Sequence, residues 1–300
     1  MNSVRTSLVL VLGLTFACAA GFAVGRWFDK PSHVRTVEPS SPLVTFDTLG
    51  RLEKYPGKDA VPCPRQTSRT AVVLVAGQSN AGNSAGERHV TRHRQQVLNF
   101  FKGQCFSAAS PLLGSTGLGG EPWTLLGDLM IENRDADVAI FALSVVAGSP
   151  MKRWVTGGDL HVALIQAATE LQRHYRITHA IWQHGEADAL RNTPAEQYAS
   201  GVRSIVEGLK KAGVTSPMFV SVSTRCGPRL EWRAANSIAA AQRKSASLDP
   251  MLRVGPDIDD LLSESDRFDD CHYSASGVRR TAAAWHAVLT ASSNSYKRLN

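Results

Sequence analysis

Two almost unbroken apolar segments, Thr70–Ala76 and Val138–Val145, constrain the fold of this chain more than any other feature. Both are short and rich in β-branched and aliphatic residues, which is typical of strands buried on both sides in a parallel sheet. Longer segments follow in which apolar residues recur at helical spacing, such as Leu125, Leu126 and Leu129. This alternation predicts a three-layer α/β/α sandwich with a mostly parallel central sheet.

The remaining elements follow from the same patterns. Further strands are predicted at 95–101, 178–183, 217–223 and 251–254, and helices at 123–133, 161–175, 194–211, 231–247 and 276–291. In open sheets of this kind, functional sites lie beyond the carboxyl ends of the strands. Ser79, Gly148 and His184–Asp188 fall at such ends, which makes them the first candidates for a site.

The amino terminus has a different character. Ser7–Val24 contains no charged residue and is rich in Leu, Val, Ala and Phe, with basic residues on both sides. Its length is at the lower limit for crossing a bilayer, and Ala17-Cys18-Ala19 also provides a small-x-small cleavage site. Residues 1–29 are therefore predicted to be a signal peptide, or a membrane anchor through residues 7–24. Either would export the protein to the periplasm or another extracytoplasmic compartment.

Residues 30–69 have the composition of a tether, and the folded domain is predicted to span residues 70–295. The segment shows little periodicity and contains several serines and six prolines, at positions 31, 39, 42, 56, 62 and 64. Such composition is typical of linkers between or before domains.

Four cysteines lie outside the apolar leader, an even number that suggests two disulfides in an exported chain. Three pairings are possible. We favour Cys63–Cys105, which brackets the first predicted strand, and Cys226–Cys271, which would tie a loop to the segment containing His272. No Cys or Cys/His cluster has the spacing of a zinc site, so neither a metal nor an organic cofactor is expected.

The formal net charge of +7 is spread along the chain and is not clustered. A positive field favours anionic substrates or surfaces. No nucleic-acid-binding motif accompanies the charge, so we expect a solvated basic surface and no nucleic-acid partner.

Ser79 occupies the position of a possible nucleophile. It lies in Gly77-Gln78-Ser79-Asn80, directly after a buried strand, where a serine projects into the crevice above the sheet. The placement is that of a nucleophile elbow, although Ala81 replaces the last glycine of Gly-x-Ser-x-Gly. Taken alone, a turn serine that bonds to its own backbone would explain the same residues.

Asp269-Asp270-Cys271-His272 contains the groups that such a serine needs. An Asp three residues before a His on a loop can accept the Nδ1 proton of the ring while Nε2 faces outward. A surface Asp–His contact is the alternative interpretation. Between these segments, Trp182–Asp188 (Trp-Gln-His-Gly-Glu-Ala-Asp) ends an apolar strand in polar residues that need partners or a function.

In this order, the segments resemble the motifs of the SGNH (GDSL-type) hydrolases, and among them the sialate O-acetylesterase-like carbohydrate esterases. That group shows Gly-Gln-Ser-Asn in its first block, a glycine in the second, a Trp-x-Gln-Gly-Glu-x-Asp-like third block and Asp-x-x-His in the last. The matching segments here are Gly77–Asn80, the glycine-rich 114–120, Trp182–Asp188 and Asp269–His272, within residues 70–290. The resemblance implies a flavodoxin-like sheet and a serine esterase that removes O-acetyl groups from a carbohydrate without a cofactor.

The resemblance also implies catalytic roles. Ser79 would attack the ester carbonyl, and His272 would take its proton and later deliver one to the leaving alcohol. Asp269 would orient His272, since the spacing of Asp270 makes it the weaker choice.

The oxyanion donors implied by the resemblance are the Ser79 backbone N–H and a loop glycine, either Gly119 or Gly120. The family usually has a Gln directly before Gly-Glu, whereas this chain has His184 there and Gln183 one place earlier. Neighbouring residues on a strand point to opposite faces, so Gln183 should not substitute. We therefore expect His184 to be the third donor.

Other residues near these blocks are expected to contact the substrate without taking part in the chemistry. Glu186 and Asp188 should brace their loop, and Gly148-Ser149-Pro150 resembles a family loop near the substrate. The expected lining residues are Gln78, Asn80, Gly148, Ser149 and Glu186.

Two other functions are compatible with the sequence. A cell-envelope glycan O-acetyltransferase would use the same residues, with a sugar hydroxyl instead of water resolving the acyl-enzyme. A catalytically dead glycan-binding module would explain the departure at His184, but it has no need for Ser79, Asp269 and His272 together. In each case the expected partner is a carbohydrate, and the sequence does not determine the oligomeric state.

Overall fold

The computed structural model of the protein describes residues 43–227 and 237–297. The predicted signal peptide or anchor at residues 1–29 lies outside these ranges. Within them, no helix is both long and apolar enough to cross a bilayer.

The strands of the described residues form two sheets. In chain order they are β1 (Thr45–Phe46), β2 (Leu52–Lys54), β3 (Ala60–Val61), β4 (Thr70–Gly77), β5 (Val97–Phe101), β6 (Gln104–Ser107), β7 (Val138–Val145), β8 (His179–Gln183), β9 (Met218–Val222) and β10 (Leu252–Asp257). The central sheet has the order β10-β9-β8-β4-β7-β5-β6-β3. The strands from β10 to β5 pair in parallel, whereas β6 and β3 are added antiparallel at one edge. β1 and β2 form a separate antiparallel pair.

Helices cover both faces of the central sheet. They are α1 (Trp123–Glu132), α2 (Asp159–Gln172), α3 (Glu186–Leu190), α4 (Ala195–Lys211), α5 (Ser237–Arg243), α6 (Ile258–Leu261) and α7 (Ala275–Lys297). Side chains of α2, α4 and α5 join the core on one face, and those of α1 and α7 join the core on the other. The predicted three-layer α/β/α sandwich with a mostly parallel sheet is confirmed.

The central strand β4 shows why its sequence is apolar throughout. All eight of its residues are buried. Val72, Leu74 and Ala76 enter the core under α2 and α4. Their neighbours Ala71, Val73 and Val75 enter the core under α1 and α7, because successive side chains point to opposite faces. A strand between two helical layers therefore has no polar face to display.

Most predicted elements agree with the structure to within a few residues, and β7 has the predicted bounds. The four-residue strand β6 was not predicted, because it is too short for a periodic signal and is joined to β5 by a two-residue turn, Lys102-Gly103. Of the long helix predicted at 231–247, the described residues contain α5 followed by a short 3-10 turn at Ser245–Ser247.

The predicted tether is wrong for residues 43–69, which pack against the domain. Leu52 is fully buried, and its backbone N–H and carbonyl bond to Ser115 O and Gly114 N. β3 extends the central sheet by pairing with β6. These strands have only two or three residues each, which is too short to show a period in the sequence. The prolines around them therefore dominated the prediction. The other part of the predicted tether, residues 30–42, lies outside the described residues.

The favoured disulfide pairing is confirmed. Cys63 bonds to Cys105 in β6, and so fastens the segment before β4 to the sheet edge. Cys226 bonds to Cys271, which joins the loop after β9 to the loop before α7. Each bond connects segments that are distant in sequence, which restricts the unfolded chain.

Removing the Cys63–Cys105 disulfide should lower the stability of the protein without abolishing its fold. The bond closes a sequence separation of 42 residues, and loss of such a cross-link costs about 2–4 kcal/mol through the entropy of the unfolded chain. We expect Cys63→Ser/Cys105→Ser to unfold at a lower urea concentration while its circular dichroism is unchanged. Equal stability of the double variant and the oxidised wild type would contradict this prediction.

Candidate active site

The central strand ends in a turn that requires glycine, and this turn presents Ser79. Gly77 has a φ of +143°, and a side chain there would collide with the carbonyl oxygen of Gln183 in β8. Gln78 N–H donates to that same carbonyl (3.2 Å), and a 3-10 turn, Ser79–Ala81, follows. Ser79 therefore lies at the carboxyl end of the sheet, where parallel α/β folds place their sites.

Asp269 holds His272 by both its ring and its backbone. His272 Nδ1–H donates to Asp269 Oδ2 (2.7 Å), and the His272 backbone N–H donates to Oδ1 (2.6 Å). Burial works to raise the pKa of Asp269, but hydrogen bonds from the His272 ring and from the backbone N–H groups of His272 and Cys271 hold it below its ordinary value. The charged carboxylate fixes the ring in the tautomer whose Nε2 can accept a proton.

Asn80 brings the two halves of the site together. Its Nδ2 donates to the backbone oxygen of Cys271 (3.3 Å), so the residue after Ser79 bonds to the residue before His272. Neither Ser79 Oγ nor His272 Nε2 has a hydrogen-bond partner among the described residues. Neither group is thus engaged by another part of the described chain, and hydrogen bonds of catalytic groups commonly tighten only when a substrate is bound.

The disulfide of Cys271 anchors the loop of His272. Cys271 is 5% exposed and lies directly before His272. Besides Asn80, its carbonyl accepts a hydrogen bond from the Arg267 guanidinium. A covalent bond and two hydrogen bonds thus fix the residue that precedes the imidazole.

Glu186 lies behind Asn80 in the interior. Its Oε1 accepts from Asn80 Nδ2 and from Ser223 Oγ, both at 2.8 Å, and so connects the ends of β4, β8 and β9. Its Oε2 is buried and has no hydrogen-bond partner among the described residues. Burial raises the pKa of this carboxyl above its ordinary value. Glu186 is thus a supporting group, as expected of a residue that braces its loop.

The expected role of His184 as an oxyanion donor does not agree with its position. The side chain is wholly buried, and its Nε2–H donates to Ser149 O (2.8 Å). The ring stacks on Trp182, with 4.8 Å between the ring centroids, and it also stacks on Tyr198. The only proton of the neutral ring is therefore used to hold the 149 loop, and none is left for an oxyanion.

The two expected loop glycines are also engaged elsewhere. Gly119 N–H donates to Asn83 O, and Gly120 N–H donates to Ala85 O, each at 2.8 Å. Ala85 and Gly120 form a small antiparallel bridge. Neither amide can donate to an oxyanion without breaking these bonds, so the prediction of Gly119 or Gly120 as a donor is wrong.

Gly148 has the free amide that Gly119 and Gly120 lack. Val146 N–H donates to Gly77 O (3.1 Å), so the chain after β7 runs beside the turn that carries Ser79. Gly148 is exposed and has a φ of +62°, and a Cβ there would meet no atom within 4 Å. The backbone N–H groups of Gly148 and Ser79 have no hydrogen-bond partner within the described ranges.

The other expected lining residues form a buried layer under the site. Gln78, Asn80, Ser149 and Glu186 are each at most 3% exposed. Gln78 Oε1 accepts from Ala187 N–H (3.2 Å), and Ser149 Oγ donates to Val146 O (2.7 Å). Only Gly148 of the five is exposed. These side chains support the walls of the site more than they line it.

Sequence reasoning missed two further supports. Gln183 Nε2 donates to Asn80 O (2.5 Å) and to Tyr273 Oη (3.2 Å). Trp285 Nε1 in α7 donates to Gln183 Oε1 (2.7 Å). An amide at the end of a buried strand was the available signal, because such a group must find partners.

A sequence profile described as "Carbohydrate esterase, sialic acid-specific acetylesterase" matches residues 69–282. The chain belongs to this family. It is therefore a carboxylic ester hydrolase of the carbohydrate esterase class, and the resemblance seen in its motifs is confirmed. No curated protein matches the chain.

The comparison with solved structures found proteins similar to this esterase, one of them with a TM-score above 0.5. A protein from Arabidopsis thaliana superposes with a TM-score of 0.56 at 15% identity, covering 74% of this chain and 98% of that one. A family 3 carbohydrate esterase from Clostridium thermocellum gives a TM-score of 0.48 at 11% identity, with coverage of 74% and 98%.

The stability of the esterase should fall in acid because of His184. Burial lowers the pKa of His184 from 6.5 to about 4. Between these values the unfolded chain binds a proton that the folded chain does not. The free energy of unfolding is therefore unaffected by His184 protonation above pH 6.5 and decreases as the pH falls towards 4. One such group gives a slope of at most about 1.4 kcal/mol per pH unit.

Urea unfolding of the wild type and of His184→Gln, measured from pH 7 to pH 4, checks this prediction. A glutamine at this position would not titrate, so the variant should show the smaller slope. His179, whose pKa burial also lowers to about 4, remains in both proteins and contributes equally. Identical slopes would contradict the assignment.

Glu186 should be replaceable by Gln but not by Ala. Glu186→Gln retains an oxygen that can accept from Asn80 and Ser223, so we expect ester hydrolysis within a few-fold of the wild type. Glu186→Ala removes the acceptor and frees Asn80, and kcat should fall on the order of 10- to 100-fold with little change in KM. Steady-state kinetics on a soluble acetate ester measure both values. Equal losses in the two variants would show that charge, and not position, is the contribution of Glu186.

Proposed function

We propose that this protein is a serine esterase that removes O-acetyl groups from a carbohydrate through an acyl-enzyme on Ser79. The observation that carries the proposal is the Asn80 side chain, which bonds to Cys271 O and so brings the turn of Ser79 to the loop of His272. The Asp269–His272 pair is already formed at 2.7 Å. These two contacts support a mechanism in which Ser79 is the nucleophile, His272 the base and Asp269 the carboxylate that orients the base.

The first half of the reaction transfers the acetyl group. His272 Nε2 takes the Ser79 hydroxyl proton while Ser79 Oγ forms a bond to the acetyl carbon. The tetrahedral intermediate expels the sugar oxygen, which receives the proton from His272. Asp269 stabilises the imidazolium that exists between these steps.

The second half releases acetate. Water gives a proton to His272 Nε2 and attacks the acetyl carbon on Ser79. Collapse of the second tetrahedral intermediate breaks the bond to Ser79 Oγ, which recovers its proton from His272.

The backbone N–H groups of Ser79 and Gly148 are the proposed oxyanion donors. Both amides lack a partner among the described residues, and they follow β4 and β7, which are neighbours in the sheet. Thr116 Oγ1 accepts from Ala147 N–H (2.8 Å) and thereby holds the residue before Gly148. Such preorganised donors commonly contribute a factor of about 10²–10³ to kcat.

Export completes the proposal. Two disulfides favour an oxidising compartment, as in the periplasm or outside the cell. Residues 1–29 would then serve as the signal peptide or anchor. The proposed substrate is an acetylated glycan encountered outside the cytoplasm.

Hydrolysis of 4-nitrophenyl acetate by the oxidised protein tests the chemistry. Ser79→Ala should lower kcat/KM by about 10³-fold or more, because the nucleophile is lost. Ser200→Ala, which changes an exposed serine of α4, is the matched control and should behave as the wild type. Hydrolysis that survives in Ser79→Ala would disprove the acyl-enzyme.

Two neighbouring carboxylates provide a second comparison in the same assay. Asp269→Asn should lower kcat by about 10³–10⁴-fold, since the ring loses the tautomer that it needs. Asp270→Asn should have little effect.

After labelling with a fluorophosphonate, the amide NMR signal of Gly148 should shift, whereas those of Gly119 and Gly120 should not.

A further inference from the structure

Phe268 is an exposed aromatic ring directly beside the catalytic base. Its side chain is 55% exposed, although nearly all other aromatic rings around the site are buried. The ring centroid lies 6.1 Å from that of His272, with the planes 30° apart. Phe268 N–H also donates to His272 O (3.0 Å). The ring therefore has a fixed place next to the reacting atoms.

Gly86 supports this ring from the side of Ser79. A Cβ on Gly86 would lie 3.2 Å from Phe268 Cδ1 and 3.6 Å from Cε1, so the ring rests on the bare glycine backbone. Gly86 N–H in turn donates to Tyr273 O (3.0 Å). The segment after Ser79 and the segment around His272 thus hold the phenyl ring between them, and over half of its surface remains in water.

A second exposed apolar side chain belongs to a loop that bonds to the same segment of the chain. Leu118 is 39% exposed, and its loop is fastened to the chain after Ser79 by the bond from Gly119 N–H to Asn83 O. Leu118 and Phe268 project from two segments that both contact residues 83–86. Single exposed apolar residues are common on protein surfaces, but Phe268 differs in that its ring stacks on His272.

We propose that Phe268 is the sugar-binding platform of this esterase. This inference rests on the proposed function and names the part of the substrate that it recognises. A pyranose ring carries C–H groups on its faces, and the negative face of an aromatic ring attracts such polarised hydrogens. Phe has only two side-chain torsions and is already held by Gly86 and His272, so little entropy is lost when a sugar stacks on it.

The platform predicts a difference between esters that contain a sugar ring and esters that do not. The probes are mono-O-acetylated methyl pyranosides, glycerol monoacetate and ethyl acetate, with acetate release as the readout. Phe268→Ala should lower kcat/KM for the preferred pyranoside about 3- to 10-fold through KM, the range expected for loss of one stacking contact. The values for glycerol monoacetate and ethyl acetate should not change. Phe268→Trp should retain the preference for the pyranoside.

Phe46→Ala is the matched control, because Phe46 is 45% exposed and lies on the separate two-stranded sheet. A loss of equal size for all three ester classes would overturn the inference, since Phe268 would then act on His272 alone. An unchanged kcat/KM for the pyranoside would also overturn it.

Two further outcomes separate this inference from the proposed function. If the wild type hydrolyses ethyl acetate in a Ser79-dependent way but prefers no pyranoside to glycerol monoacetate, the platform is disproved and the acyl-enzyme stands. If no ester is hydrolysed in a Ser79-dependent way by the folded protein, the proposed function fails and the platform fails with it.

Discussion

The arrangement of the site depends on one side-chain amide, that of Asn80. Its Nδ2 group donates to Glu186 Oε1 and to Cys271 O, residues that follow it by more than a hundred positions. A hydrogen bond of this kind contributes about 0.5–1.5 kcal/mol, whereas a buried partner left unpaired costs about 1–3 kcal/mol. The Asn80 amide therefore fixes the arrangement mainly because leaving its buried group unpaired would cost more free energy than the bonds contribute. Displacement of the Ser79 turn would leave the buried Nδ2 group of Asn80 unpaired, whereas Glu186 Oε1 and Cys271 O would keep their bonds from Ser223 and Arg267.

The alternation of β8 explains what the unusual order Gln183-His184 achieves. Because adjacent side chains point to opposite faces, Gln183 turns towards α7 and meets Trp285, whereas His184 stacks with Trp182 on the other face. Gln183 still supports the site, since its Nε2 donates to Asn80 O. His184 instead holds the carbonyl of Ser149. This order places the Gln183 amide beneath the turn of Ser79 and leaves the His184 ring to hold the next loop.

Local sequence was sufficient for the fold and for the closest contacts of the site. The apolar runs predicted β4 and β7, and the three-residue spacing predicted the bond between Asp269 and His272. These features depend on periodicity or on neighbours along the chain. The resemblance of the ordered blocks then supplied the roles.

The errors share a cause, because each involves a partner set by tertiary structure. Gly119 and Gly120 looked suitable as donors until Asn83 and Ala85 were seen to use their amides. The residues before β4 were predicted to be a tether for the same reason. A two-residue strand such as β3 is defined only by its pairing with β6 at the sheet edge.

Burial also determines which groups near Ser79 carry charge. It lowers the pKa of His184 and raises that of Glu186, so both are biased towards their uncharged forms. The carboxylate of Asp269 bonds to His272 Nδ1, on the side of the ring away from Nε2. If Ser79 and His272 act as proposed, the side chains around them are already held by hydrogen bonds before an ester binds, and the reaction need not wait for them to reorganise.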